Sequence, residues 1–227
     1  MKYVVLCVLA VSARAETLHY VINWQSGLNL GEATLSSGRS TWVVNGVDTP
    51  RWNFDLDIDA GVPGFAVSDH YTSSAGTDIC SAKLEKTVHH GSHKSDETVT
   101  FDQEQHTATR EGRPSGIGAK TEFSMPSCGR DALAFLQFVR QELAQGRLAA
   151  QGPVILGAEY NVRLEFGGTE QVKRLGKMVD ADRIHATIKG PASDLGVDIL
   201  FGKDEARTPL AARIPLSLGT FSVELAH

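Results

Sequence analysis

Hydrophobic and polar residues alternate over much of the chain, and a period of two is typical of β-strands with one buried and one solvent-facing side. The alternation is clearest at residues 18–24, 52–59 and 160–166. Clusters rich in glycine, asparagine and aspartate separate the strands, as antiparallel hairpins require. Further strand candidates are residues 32–35, 40–44, 65–71, 79–88, 97–102, 107–110, 183–189, 195–201, 210–214 and 220–225.

Residues 130–145 are the one stretch in which apolar residues recur with a helical period. The apolar face covers about 220° of the helix circumference. It consists of Ala132, Leu133, Phe135, Leu136, Phe138, Val139 and Leu143. A face of this width predicts a helix that is largely enclosed by protein. We expect Asp131 to stabilise the positive end of the helix and Gly146 to form a left-handed cap after its last turn.

Many short strands therefore stand before and after one apolar helix. Such a helix needs a surface that curves around it, and a twisted sheet provides one. The sequence predicts a mostly β fold, a curved antiparallel sheet or half-barrel wrapped around one central apolar helix. A β-sandwich whose helix closes one end is the alternative. Residues 16–227 contain no linker and are expected to form a single domain, with a mobile loop at residues 113–119.

Residues 1–15 have the organisation of a secretory signal peptide. Lys2 precedes a short apolar run, and Ala13-Arg14-Ala15 forms an A-x-A site for signal peptidase. A first buried strand is the alternative. Export followed by cleavage after Ala15 predicts a periplasmic or secreted protein. No later segment has the roughly 20 apolar residues that a membrane span requires, so no membrane span is predicted.

The net charge bears on which partners the protein binds, and the cysteine content bears on whether it contains a disulfide. The formal net charge is −5, which disfavours binding to nucleic acid or to an anionic membrane surface. Cys80 and Cys128 remain after removal of the signal peptide, and an isolated pair in an oxidising compartment is expected to form a disulfide. Two unpaired, partly buried thiols are the alternative.

Three segments carry a resemblance to a known family: residues 18–35 (LHYVINWQSGLNLGEATL), 130–140 (RDALAFLQFVR) and 201–225 (FGKDEARTPLAARIPLSLGTFSVEL). In their order and spacing they resemble a bacterial family of exported proteins catalogued as domain of unknown function 3108. The resemblance implies a periplasmic or secreted, β-rich protein. It brings no established activity, cofactor or catalytic set. The closing segment is also similar to the curved-sheet lipoprotein carriers of the bacterial envelope, which is a likeness of fold alone.

Two groups of residues have the composition of metal ligands. His89, His90 and His93 are candidates for a transition-metal site, because imidazole nitrogens bind zinc or copper. Adjacent histidines on a strand point to opposite faces, however, and a solvated hairpin tip without metal is predicted.

The second group is Asp55-x-Asp57-x-Asp59, which has the opening spacing of a calcium-binding loop. That loop needs Gly and Glu where this chain has Ala60 and Ala66. The pattern is better explained as the solvent-facing side of a strand.

No hydrolase or phosphate-binding motif of the types G-x-S-x-G, H-E-x-x-H, G-x-x-x-x-G-K-[ST] or G-x-G-x-x-G occurs, and no cofactor is predicted. The leading hypothesis is a non-enzymatic envelope protein that binds an apolar or lipid ligand between helix and sheet. The candidate ligand-binding residues are Gln137, Gln141, Trp24 and Trp52. A structural or protein-interaction module of the envelope and an enzyme of unrecognised type are the alternatives.

The signal-peptide hypothesis predicts the start of the mature protein. N-terminal sequencing of protein recovered from the periplasm or the medium should begin at Glu16, because signal peptidase cleaves after an A-x-A site. Recovery of the whole product in the cytoplasm with Met1 intact would contradict it.

Overall fold

The computed structural model describes residues 15–44, 46–62, 64–114, 119–149, 151–174, 176–191, 193–216 and 219–226. The predicted signal peptide lies outside these residues, apart from Ala15. The described chain is mostly β, with one short helix. The elements are β1 (Glu16–Trp24), β2 (Asn29–Val44), β3 (Val47–Val62), β4 (Phe65–Ala75), β5 (Ser81–His90), β6 (His93–Asp102), β7 (Thr107–Pro114), β8 (Ala119–Ser124), β9 (Arg130–Asp131), α1 (Ala132–Ala144), β10 (Gly152–Ile155), β11 (Glu159–Arg174), β12 (Lys177–Gly190), β13 (Ser193–Gly202), β14 (Pro209–Leu216) and β15 (Gly219–Leu225).

All of these strands belong to one sheet, in the order β8-β7-β6-β5-β4-β3-β2-β1-β15-β14-β13-β12-β11-β10-β9. The chain forms a meander from β1 to one edge of the sheet and, after β9, a second meander from the opposite edge back to β15. The first and last strands therefore pair in the middle, in a register that places Tyr20 opposite Leu225. Strands β9 and β10 are parallel, and α1 connects them, as a parallel pair requires a crossover.

The sheet is large, curved and unclosed. Register shifts interrupt the β1–β2, β4–β5, β11–β12 and β13–β14 pairs, and such irregularities increase the local twist. The first half of the sheet consists of β1 to β8 and the second half of β9 to β15. The curvature brings these two halves together, since Ile155 of β10 lies in the same buried cluster as Leu84 of β5 and Val99 of β6. The β-sandwich alternative is wrong, since the described strands form a single hydrogen-bonded sheet.

The alternating pattern of β3 arises, as the sequence predicted, because one face of the strand is buried and the other faces solvent. Phe54 is buried, whereas Asp55, Asp57 and Asp59 lie on the opposite face, across from polar residues of β2. Asp57 is 2.6 Å from Nδ1 of His70 on β4. The three aspartates thus belong to the solvent-facing side of the sheet, and their spacing reflects the pleat rather than a calcium loop.

Both predicted ends of the helix are confirmed. Asp131 is the N-cap, and its Oδ1 accepts hydrogen bonds from the amides of Leu133 (2.8 Å) and Ala134 (3.1 Å). After the last turn Gly146 has φ of +72°, a left-handed conformation that glycine adopts without strain. Its amide donates to the carbonyl oxygen of Leu143 at 3.0 Å.

The helix contacts both halves of the sheet. Leu133 and Ala134 pack in a buried cluster with residues of β1, β2, β3 and β4. Val139 and Leu143 pack in a second cluster with residues of β10, β11, β12 and β13. The half-buried Leu136 touches both clusters, so the helix joins them into a continuous core.

Burial of the helix is less complete than its apolar face predicted. Val139 is 4% exposed, but Phe135, Leu136 and Phe138 are only half-buried. The physical reason lies in the space beside the helix, because Phe135 and Leu136 line a cavity rather than a filled core.

The sequence patterns missed β8, β9 and β10. Strand β8 is a short edge strand of mainly small and polar residues, β9 has two residues, and β10 has four, among them Pro153. None is long enough to display a period. The predicted loop at residues 113–119 is wrong at its ends, since β7 continues through Pro114 and β8 begins at Ala119. Residues 115–118 lie outside the described residues.

Replacement of Asp131 by alanine should lower the free energy of unfolding by about 2–4 kcal/mol. The change removes the N-cap and the shared acceptor of two buried hydroxyls, since Ser73 and Ser81 each donate to Oδ2 at 2.6 Å. Asp131→Asn, which keeps one acceptor oxygen, should cost less. Asp48→Ala, at an exposed position of β3, is the control and should change stability by less than about 0.5 kcal/mol.

Denaturant titrations followed by circular dichroism would measure all three variants. A loss below about 1 kcal/mol for Asp131→Ala would show that this carboxylate does not hold the start of the helix.

Candidate functional site

An apolar cavity of about 540 Å³ lies between α1 and the second half of the sheet. Its walls come from β3, α1 and the five strands β10 to β14, and apart from the half-buried Tyr160 every lining side chain is aliphatic or a phenyl ring. The lining residues are Leu56, Ala132, Leu133, Phe135, Leu136, Val139, Val154, Leu156, Tyr160, Val162, Leu164, Ile184, Ala186, Ile188, Leu195, Ile199, Phe201 and Ile214.

A second apolar cavity of about 250 Å³ adjoins the first. Its walls come from β1, β2, β3, β13, β14 and β15 and from α1. The two cavities share the side chains of Leu56, Leu133, Leu136 and Ile199. The space beside the helix therefore runs from the second half of the sheet to the first, with these four side chains between the two parts.

The size and the lining of this space fit a small-molecule site. Pockets that bind small molecules usually have volumes of roughly 300–1,000 Å³ and mostly apolar walls. Packed protein interiors, in contrast, contain few voids larger than a water molecule. An apolar wall offers water no hydrogen-bond partners, so the space suits a hydrocarbon group better than solvent.

A row of polar side chains begins next to the cavity wall. Leu56 on β3 pairs with Tyr71 on β4, Tyr71 pairs with Lys86 on β5, and Lys86 pairs with Glu97 on β6. Residues paired across neighbouring strands project from the same face of a sheet, so all four face the inside of the curve. Glu97 is buried, and its carboxylate lies 3.0 Å from Nζ of Lys86 and 2.6 Å from Nε of Arg110.

A second buried carboxylate lies one pair further along the same strands. Asp69 on β4 is 8% exposed and is 3.0 Å from Nε2 of His90. The hydroxyl of Tyr71 donates to the same oxygen, Oδ2, over 3.4 Å, and Oδ1 accepts from the amide of His89. Burial raises the pKa of Tyr71 to about 12, and the nearby Asp69 adds to the shift. Tyr71 is therefore protonated at neutral pH.

The most deeply buried carboxylate, that of Asp131, has a structural explanation. Burial raises the pKa of its carboxyl, while hydrogen bonds from two serine hydroxyls and two helix amides oppose the shift. These partners saturate both oxygen atoms. Asp131 lines neither apolar cavity.

Comparison with known sequences supplies a family. Residues 19–226 match the family described as protein of unknown function DUF3108. The chain belongs to the DUF3108 family. The resemblance of the three sequence segments is thereby confirmed. A search of curated proteins finds no match.

A solved structure with the same fold is described as a beta-barrel-like protein of domain of unknown function DUF1849 from Brucella abortus. The TM-score is 0.60 at 6% sequence identity, and the alignment covers 94% of this chain and 96% of that one. At so low an identity the likeness concerns the fold alone. It agrees with the large curved sheet of this DUF3108 protein.

The four residues that the sequence suggested for ligand binding do not line either apolar cavity. Trp24 packs against Phe221, with ring centroids 5.0 Å apart. Trp52 stacks on the buried Phe54 at 5.8 Å. Gln137 and Gln141 lie on the polar stripe of α1, where Oε1 of Gln137 accepts from Arg140. A role for these four residues in ligand binding stays a prediction.

The three histidines lie on the β5–β6 hairpin as expected. His90 pairs with His93 across the hairpin, and His89 pairs with Lys94. His90 interacts with Asp69, and His89 projects from the other face of the strand because neighbouring residues alternate. The hairpin therefore divides the histidines between two faces of the sheet.

Cys80 and Cys128 lie at disulfide-bonding distance, with Cα atoms 4.7 Å apart, as the sequence predicted. Together with Asp78 they form the one group of three metal-type ligand atoms within 4.8 Å that occurs among the described residues. Two sulfur atoms that are bonded to each other leave no thiolate to bind a metal, so this group is not a metal centre.

A larger depression of about 680 Å³ lies beside this cysteine pair and is less suited to be the site. Its lining mixes Arg51, Asp78, Asp102 and Glu104 with small polar residues, and it opens widely to solvent. A ligand there would lose little of its hydration. The apolar cavity beside α1, which is less open to solvent, remains the best candidate.

The sequence predicted a ligand between helix and sheet but did not reveal which residues line the cavity, because its walls come from strands that are distant along the chain. Leu56 and Ile199 face each other only after the sheet has curved. The signal that was present is the wide apolar face of α1, because Phe135, Leu136 and Val139 of that face line the cavity.

The space beside α1 predicts that a larger side chain is tolerated there. Ala186→Leu adds three carbon atoms at the cavity wall and should change the free energy of unfolding by less than about 1 kcal/mol. Ala108→Leu is the matched control, because Ala108 is fully buried in the filled cluster around Leu84. Overpacking at that position should cost about 1–3 kcal/mol or more. Equal losses in thermal or denaturant unfolding would mean that no usable space lies beside the helix.

Proposed function

We propose that this DUF3108 protein is a non-enzymatic exported protein that binds an apolar or lipid ligand in the cavity between its helix and its curved sheet. In this proposal α1 is the central apolar helix around which the sheet wraps, and the ligand completes the core between them. The observation that carries the proposal is the size and apolar lining of the cavity beside Phe135 and Leu136.

An energetic argument supports an occupant. Apolar side chains that line an empty cavity lack packing partners on one side or face water, and both states are unfavourable. A hydrocarbon chain in the cavity would restore the missing contacts, and the free energy gained would appear as binding affinity.

Two features support export to the periplasm or the medium. The first is the signal-peptide pattern of residues 1–15. The second is the pair Cys80 and Cys128 at disulfide-bonding distance, since disulfides persist in oxidising compartments. The described part of the chain contains a single helix of 13 residues, too short to cross a bilayer.

A fluorescent long-chain fatty acid tests the proposal. Delipidated protein should bind one molecule per chain, with a blue shift of the probe emission as it leaves water. Ala186→Phe places a ring at the cavity wall and should weaken binding at least about tenfold, because ring and ligand compete for one volume. Ala66→Phe, at an exposed position of β4, is the control and should bind as the wild type does.

Native mass spectrometry of the protein purified from its own compartment should show bound mass that organic extraction removes. If no probe binds at micromolar concentration and no mass is released, ligand carriage is excluded.

A specific observation also favours a protein-interaction module as the second candidate. Trp42, Val43 and Val47, next to the turn between β2 and β3, are 48%, 71% and 64% exposed. Exposed apolar groups clustered at the end of a long hairpin are typical of contact surfaces. Binding of a partner at this hairpin would be abolished by Val43→Asp, which leaves the cavity intact, and the two functions are therefore separable.

A further inference from the structure

The polar row that begins at Tyr71 lies at one end of the apolar cavity. Leu56 lines the cavity, and its partner on the next strand is Tyr71, followed by Lys86. Tyr71 is half-buried and packs against the same cluster as Leu56 and the helix residue Leu133. The change from apolar to polar side chains thus occurs across one strand, on the inner face of the sheet.

The loop between β10 and β11 also indicates that the Lys86–Glu97 ion pair lies close to the apolar cavity. Leu156 lines the cavity, and the next residue, Gly157, lies against the ion pair. A Cβ atom at position 157 would overlap Oε1 of Glu97 and would be 3.1 Å from Nζ of Lys86. One dipeptide therefore lies against both the cavity and the charged groups.

Both buried carboxylates of the polar row already have charged or hydrogen-bonding neighbours, although Oε1 of Glu97 has an ion-pair partner and no hydrogen bond. Glu97 has two cationic neighbours, Lys86 and Arg110. Asp69 interacts with His90 and with the amide of His89. Both buried carboxylates are therefore already neutralised or hydrogen-bonded.

The ammonium group of Lys86 has three N–H bonds, and among the described residues Glu97 is its one ion-pair partner. Its side chain is only 18% exposed, so water has limited access to the remaining N–H bonds. The hydroxyl of Tyr71 makes one long hydrogen bond of 3.4 Å. An incoming acceptor would find two donors here that are poorly satisfied.

We propose that the ligand is a long-chain amphiphile with an anionic headgroup, its chain in the apolar cavity and its headgroup on Nζ of Lys86 and the hydroxyl of Tyr71. The inference rests on the proposed function, because it takes the cavity as the place of the chain. A cationic headgroup is disfavoured, since Lys86 and Arg110 already place two positive charges around Glu97. An uncharged headgroup would leave the ammonium group of Lys86 partly unsatisfied in a low-dielectric site.

Competition among three ligands that share one hydrocarbon chain tests which headgroup the site prefers. Hexadecanoic acid, hexadecanol and hexadecylamine would each displace a neutral pyrene-labelled alkane from delipidated protein at pH 8. The wild type should bind the acid at least about tenfold more tightly than the alcohol, as a charge-assisted hydrogen bond provides. The amine should bind no better than the alcohol.

Two variants assign this preference to the proposed donors. Lys86→Met should remove the preference for the acid and keep the affinity for the neutral probe. Lys83→Met, on the other face of the same strand and about half exposed, is the matched control and should keep the preference. Tyr71→Phe removes one donor without changing the charge and should reduce the preference several-fold, which keeps the test decisive if Lys86→Met does not fold.

The outcomes separate this inference from the proposed function. If the neutral probe binds but the acid competes no better than the alcohol, or the amine competes best, the headgroup assignment is overturned and ligand carriage stands. A preference for the acid that survives in Lys86→Met and Tyr71→Phe also overturns it. If no ligand and no probe binds, both the assignment and the proposed function fail.

Discussion

The buried carboxylate of Asp131 is the interaction on which the arrangement of the helix depends. It caps the first turn of α1 and at the same time accepts hydrogen bonds from Ser73 on β4 and Ser81 on β5. The amide of Asp131 itself donates to Oγ of Ser81 at 2.8 Å. Because burial disfavours the charged form, this carboxylate is tolerated only while all of these donors are in place. The start of the helix is therefore fixed to the first half of the sheet.

A second contact fixes the helix further along its length. Arg140, 5% exposed, makes two hydrogen bonds to the carboxylate of Glu16 at the start of β1 and a third to the carbonyl oxygen of Ala206. The first turn of the helix is thus held at β4 and β5 and its third turn at β1, while Val139 and Leu143 pack with residues of β10 to β13.

The sequence predicted the strands and the helix because their signals are local. Alternation in 18–24, 52–59 and 160–166 depends only on which side chains face the core, and the ends of α1 depend on Asp131 and Gly146. Strands β9 and β10 carry no such signal, since two and four residues show no period. The cavity has no local signal at all. Apolar residues in its wall have the same pattern as those in a filled core, and the volume left between them depends on the curvature of the whole sheet.

The polar row that contains Lys86 and Glu97 could not be recognised from the sequence either. In the sequence, Lys86 and Glu97 belong to strands rich in charged residues and do not stand out. Their importance comes from the face of the sheet on which they lie, since the row of paired residues on the inner face is apolar at Leu56 of β3 and polar from β4 to β6. A protein that needed only stability would replace these buried ion pairs by apolar residues at little cost or with a gain. Under the proposed function, their presence beside an apolar cavity suits a ligand that has both an apolar and a charged part.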